Sequence, residues 1–160
     1  MKPVLLLLLA CAGGAFAAGP GQHMAHAAMP HAVTRAASTA WGAGPPMIPA
    51  GVEFAVLSGD PGKEGSFTIR LKMPPGYRVP RHWHPTDEAV TLLEGDLTLS
   101  MGEAGMADDA ALAPGDFVNL PARMQHQATS TGGAVVQIQS MGPFAIHYVD
   151  PKDDPRNAGK

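Results

Sequence analysis

The 160-residue chain is predicted to be all-β, a barrel or sandwich of about seven to nine short strands, and three features of the sequence point that way. Gly and Pro are frequent, at 19 and 16 residues, which favours turns over long helices. Residues 46–150 break into short runs rich in apolar side chains, the spacing of strands rather than helices. Turn signals built from Gly, Pro and Asp separate those runs. The length suits one domain with a real hydrophobic core.

The runs follow in order. Residues 52–57 are apolar around Glu53, and Ser58-Gly59-Asp60-Pro61-Gly62 then turns the chain. Residues 66–73 alternate, placing Phe67, Ile69, Leu71 and Met73 on one face and Thr68, Arg70 and Lys72 on the other. Pro74-Pro75-Gly76 makes the next turn. Residues 89–93 read as a strand, and Glu94-Gly95-Asp96 turns tightly into another at 97–101. Ala113-Pro114-Gly115-Asp116 leads into a strand at 117–120, and runs at 135–140 and 144–149 close the set. No internal repeat of fixed period is visible beyond this rhythm.

Outside that region the chain reads differently. Residues 1–18 resemble a cleaved signal peptide: Lys2 is followed by an apolar run with five consecutive leucines, and Ala15-Phe16-Ala17 fits an A-x-A cleavage site. The run is too short and too rich in small residues to span a ~30 Å bilayer, so the mature product is expected in the periplasm or outside the cell with no membrane span. Cys11 is the only cysteine, so the mature chain folds without disulfides. Leu8-Leu9-Ala10-Cys11 also fits a lipoprotein box that would leave a lipidated Cys11, but the segment before it is short, and this alternative ranks second.

Residues 19–45 read as a flexible Ala/Gly/Pro/His-rich leader, with a short helix expected at 32–40. His23, Met24, His26, Met29 and His31 cluster there. They are either a weak copper or nickel site or simply the composition of a leader, and the second reading is preferred. Residues 151–160 form a charged tail. Lys plus Arg total 11 against 14 Asp plus Glu, with no basic patch, which argues against nucleic acid as a partner.

Chemistry concentrates between the strands. His82 and His84 flank Trp83; in extended chain both imidazoles point one way and Trp83 the other. Glu88 follows a Pro85-Thr86-Asp87 turn and offers an anionic oxygen, and His126 comes from a different strand. Three imidazoles and a carboxylate suit a divalent transition metal, Fe, Mn, Ni, Cu or Zn. The competing reading, ordinary strand histidines, must explain away four residues. Other side chains are weaker candidates. Arg78 and Arg81 could hold an anion, Asp87 could orient a ligand residue, and His147 could approach the pocket, but solvated or turn positions account for each more simply; Gln137 and Gln139 could equally line a cavity or form the solvent face of a strand. Trp83 is expected to pack away from the ligand face. No Gly-x-Ser-x-Gly elbow, P-loop or dinucleotide fingerprint is present.

Gly76, His82, His84, Glu88 and Gly95 reproduce at every spacing the first motif of the cupin superfamily, G-x5-H-x-H-x3-E-x6-G. Gly115, Pro121 and His126 reproduce the second, G-x5-P-x-G-x2-H-x3-N, in part, with Arg123 in place of its second Gly and Ser130 in place of Asn. The chain thus resembles the small, single-domain exported bacterial cupins of the type 2-like group. The resemblance implies a single jelly-roll barrel over residues 46–150 with His82, His84, Glu88 and His126 as inward-facing metal ligands. Arg123 then implies a turn that either avoids a positive φ or carries strain, and a cation at the barrel mouth. Ser130 implies the loss of a local side-chain hydrogen bond. Exposed strand edges lead us to expect a homodimer. Two functions remain open: a metal-dependent dioxygenase or related oxidoreductase acting on a small molecule, in which Glu88 also shuttles a proton, and a non-catalytic envelope module that binds or senses a small ligand or metal.

Overall fold

The computed structural model of the chain describes residues 32–159. The signal segment, Cys11 and the His23–His31 cluster fall outside the described residues. Residues 34–160 belong to one compact unit.

Its strands are β1 (Gly42–Ala43), β2 (Glu53–Ser58), β3 (Gly65–Met73), β4 (Arg78–Trp83), β5 (Glu88–Gly95), β6 (Leu97–Met101), β7 (Asp108–Leu112), β8 (Phe117–Leu120), β9 (His126–Thr129), β10 (Ala134–Gly142) and β11 (His147–Tyr148). They form a six-stranded sheet, β1-β2-β3-β10-β5-β8, and a five-stranded sheet, β11-β4-β9-β6-β7. All pairings are antiparallel, and the two sheets make a jelly-roll barrel.

Alternation sets which side chains face inward. On β3, Phe67, Ile69, Leu71 and Met73 are buried, while Lys72 on the opposite face pairs with Glu53. Val90 and Leu92 of β5, Leu97 and Leu99 of β6, and Val136 and Ile138 of β10 face the same interior. Burying a side chain of this size contributes roughly 1.5–3 kcal/mol. Gln139, by contrast, is exposed, and Gln137 faces outward, where it accepts a hydrogen bond from Arg70 Nε at 3.2 Å.

The Gly95 turn shows why a glycine is needed there. Its φ is 81°, and a Cβ would run into the Gly133 carbonyl.

Several elements differ from the sequence reading. Order begins before Pro46: Gly42 and Ala43 pair with Phe54 and Glu53, and the Gly44 N–H donates to the Val52 carbonyl at 3.0 Å. The expected helix near 32–40 is a single 3-10 turn, Ala36–Ser38. β7 was not anticipated, and the run at 144–149 pairs only at His147 and Tyr148. The charged tail is folded into two 3-10 turns, Pro151–Asp153 and Pro155–Asn157, capped by the Asp150 and Asp154 carboxylates. Arg156 binds the second cap and donates through Nη2 to the Ile146 carbonyl at 3.1 Å.

A cavity of about 340 Å³ runs through the barrel. Pro45, Met47 and Ile48 line it from a strap that crosses between β1 and β2. Two phenols tie this strap down: the Tyr77 hydroxyl donates to the Pro49 carbonyl, and the Tyr148 hydroxyl donates to the Met47 carbonyl at 3.0 Å.

Candidate metal centre

β4 and β9 lie side by side, and His82 pairs directly with His126. The register slips between Val79 and His82, at Pro80, which has no N–H for the ladder. His84 follows β4 by one residue and shares the inward face of His82. Glu88 opens β5 opposite Leu120 of β8. The four side chains converge in the barrel interior, at 4%, 4%, 5% and 3% exposure for His82, His84, Glu88 and His126.

The histidine nitrogens lie within 4.8 Å of one another. Glu88 Oε2 is 3.4 Å from His84 Nε2 and 3.2 Å from His126 Nε2. Every imidazole uses Nδ1 on a backbone carbonyl: His82 on Pro80 at 2.7 Å, His84 on Ala145 at 2.7 Å and His126 on Met124 at 3.1 Å. A carbonyl can only accept, so each Nδ1 carries the proton and each neutral ring presents an Nε2 lone pair.

That assignment tests whether a metal fits. The His84 Nε2 lone pair faces a carboxylate oxygen, acceptor against acceptor, and this buried nitrogen has no hydrogen-bond partner. A cation between the two resolves this opposition. Imidazole nitrogens with fixed tautomers and an anionic oxygen form a donor set for a divalent transition ion, and the carbonyl contacts at Nδ1 are the supporting bonds such ligands use.

The electrostatics agree. Burial, reinforced by His126 and His84 nearby, pushes His82 down to about 3, so it is neutral at neutral pH. Burial also lowers His84, against the opposing pull of Glu88. Burial pushes the Glu88 carboxyl up, but its contact with His126 and the fields of the three imidazoles outweigh this and hold it below its ordinary value. His82 and His84 are thereby held neutral and the Glu88 carboxyl ionised, the protonation states that metal ligation requires.

The surrounding candidates separate clearly. Trp83 points away from the ligands, stacked on the exposed His147 ring at 4.2 Å. Arg81 donates to Ser100 Oγ at 2.9 Å and to the Ser100 and Gly102 carbonyls, and Arg78 donates to Gln127 at 2.7 Å; neither reaches the cavity. Asp87 accepts from the Ala122 N–H at 2.8 Å, and its carbonyl accepts from Ser140 Oγ, so it ties loops together beside Glu88.

The two motif departures resolve differently. Arg123 takes the strained alternative, with φ 66°. Its N–H donates to the His84 carbonyl at 2.8 Å, and its guanidinium lies 5.5 Å from the Trp83 ring centre. Ser130 corrects the expectation of a lost bond: fully buried, it accepts from the Gly133 N–H at 3.0 Å through Oγ.

Two aromatic residues were not anticipated. Phe144 lines the cavity and stacks on the His84 ring at 4.4 Å, and Tyr148 lies 5.9 Å from the His82 ring. Both sit in a run that the sequence marks only as apolar.

Comparisons with known proteins agree with this arrangement. The family profile described as "Cupin domain" matches residues 69–141, a span that includes all four converging residues. A search of curated proteins returned no match. Among solved structures, the chain is similar to DMSP lyase DddQ from Ruegeria pomeroyi, with a TM-score of 0.58 and 22% identity over 72% of this chain and 64% of that one. It is also similar to KdgF from Halomonas sp., at TM-score 0.56 and 16% identity over 71% and 96% of the two chains. A third likeness is to Bacillus subtilis oxalate decarboxylase, studied for its Mn(II) centres, at TM-score 0.52 and 17% identity over 61% and 28%. The matching profile identifies residues 69–141 as a cupin domain, and the jelly-roll architecture is the fold it shares with these structures.

Proposed function

We propose that the protein is a metal-dependent enzyme of the cell envelope that acts on a small organic molecule at a centre formed by His82, His84, Glu88 and His126, with oxygenase or related oxidoreductase chemistry. One observation carries this reading: the four ligand groups converge on a cavity of about 340 Å³, in the range of small-ligand sites. A divalent ion held there supplies a Lewis acid or a redox centre. Four protein ligands leave positions open on a five- or six-coordinate ion.

The chain's own residues would do the rest. The three Nδ1–carbonyl bonds hold the rings in one tautomer. Phe144 and the strap at 45–49 keep water from the ligands. Glu88 Oε2, beside both His84 and His126, is placed to take or return a proton as the substrate reacts. The similar folds of a DMSP lyase and an oxalate decarboxylase support an enzymatic role over passive capture. Export to the periplasm or beyond belongs to the same proposal.

The test is elemental analysis of the untagged protein with His23, His26 and His31 changed to Ala, so that the leader adds no metal. It is run beside the same protein also carrying His82→Ala and His126→Ala. The expected result is about one equivalent of transition metal per chain, lost in the second protein. Oxygen uptake by the metal-loaded form with candidate substrates then separates oxygenase from non-catalytic module. Absence of metal after reconstitution with Fe, Mn, Ni, Cu and Zn refutes the ligand assignment.

A further inference from the structure

The cavity beside the four ligands has an unusual charge distribution for a site meant to take a polar substrate. Apart from the ligands its wall is hydrocarbon: Ile69, Leu71, Val79, Leu99, Val136 and Ile138 are all buried and all line it. Among the described residues no Lys or Arg lines it. Most of the described cations are engaged elsewhere: Arg70 on Gln137, Arg78 on Gln127, Arg81 on Ser100, Arg123 over Trp83, Lys72 on Glu53 and Lys63 on Asp60. Arg156 is held by Asp154.

Charge balance then restricts the ligand. A divalent ion bound with the Glu88 carboxylate carries one net positive charge. A monoanion brings the buried site to neutrality, whereas a second anionic group would be stripped of water with no cation to meet it. A polyhydroxylated ligand fares no better, because an aliphatic wall leaves its hydroxyls unpaired.

We propose that the ligand of this site is a small monoanion with an apolar body, its charged chelating end at His82, His84, Glu88 and His126 and its hydrocarbon against the Ile69, Val79, Leu99 and Val136 wall. This rests on the metal-centre reading above and narrows its substrate class. The cavity, near the lower end of the ~300–1,000 Å³ common for such sites, limits the body to a short aliphatic chain or a single ring.

The test is calorimetry of the Co(II)-loaded full chain with straight-chain hydroxamates from acetohydroxamate to octanohydroxamate. Cobalt content is measured beforehand. Affinity should rise about three- to fourfold per methylene until the cavity is full. Hexanohydroxamate should bind at least about tenfold more tightly than its analogue bearing a carboxylate at the far end, which adds only a second charge. Ala128 lies two residues from His126, buried on the same inward face of β9. Ala128→Leu should flatten the chain-length dependence while cobalt content stays unchanged.

A flat series in the wild-type protein, or equal or tighter binding of the doubly charged analogue, overturns the proposal whatever Ala128→Leu does. If the protein takes up no cobalt, the metal-centre reading fails separately. The same series on the metal-free protein then decides the apolar preference: dependence on chain length upholds it, and its absence overturns it.

Discussion

Arg123 is where local backbone preference and the needs of the site pull in opposite directions. A side chain at φ 66° costs about 1–2 kcal/mol, which the family's glycine would avoid. Two contacts offset the cost. The Arg123 N–H holds the His84 carbonyl, and the guanidinium rests on Trp83, a contact worth about 0.5–1 kcal/mol at an exposed site. Removing the side chain while keeping the strain should therefore be worse than removing both. Arg123→Ala is expected to be less stable than Arg123→Gly by about 1 kcal/mol in denaturant titrations. The metal content of Arg123→Gly should match the wild type, since glycine keeps the N–H that grips His84. At this scale the sequence is informative wherever chemistry and spacing coincide. His82, His84, Glu88 and His126 are legible because few arrangements need three imidazoles and a carboxylate at those intervals. Phe144 is not legible, since an apolar residue in an apolar run carries no mark that its ring will lie against an imidazole.

The strap at 45–49 is an element without regular structure. Its sequence, Pro-Pro-Met-Ile-Pro, cannot supply a ladder, so its position comes from what other elements lend it. Tyr77, just before β4, and Tyr148, on the neighbouring strand β11, lend one hydroxyl each. Burial pushes the Tyr77 phenol up to about 12, and burial likewise raises Tyr148, so both remain donors across the physiological range. Tyr77→Phe and Tyr148→Phe are each expected to cost about 1 kcal/mol. Hydrogen exchange at Met47 and Ile48 should quicken in both variants, with metal content unchanged. The strand that escaped the sequence reading has a physical reason: β7 is Asp-Asp-Ala-Ala-Leu, acidic and small, with no β-branched or aromatic side chain, and it is extended because β6 pairs with it. The sequence marks β4 and β9 only through their histidines, since Pro80 interrupts β4 and β9 is just His-Gln-Ala-Thr, extended between β4 and β6. Where alternation is strong, as on β3, the sequence shows both the strand and its buried face.

For the molecule as a whole, the buried centre couples protons to stability. The unfolded chain takes up a proton at His82 near pH 6.5, whereas in the folded chain burial delays uptake until about 3. Between those values the unfolded state binds more protons, so the metal-free protein loses stability as pH falls; above 6.5 this contribution is constant. Glu88, also held below its ordinary value, acts in the same direction at lower pH. The loss from His82 is on the order of a few kcal/mol. The thermal midpoint of metal-free protein should drop steadily from pH 7 to pH 4.5 in calorimetric scans, and His82→Gln should flatten that slope. The three carbonyls that aim the imidazoles also carry a message about sequence of events. Pro80 and Met124 each serve a ring two residues further along their own stretch of chain, but His84 waits for Ala145, beyond the last long strand and braced by Arg156 through its neighbour Ile146. The arrangement of the three rings is therefore complete only with the C-terminal segment in place: a product cut short before Ala145 would keep two rings aimed and leave the third free to turn.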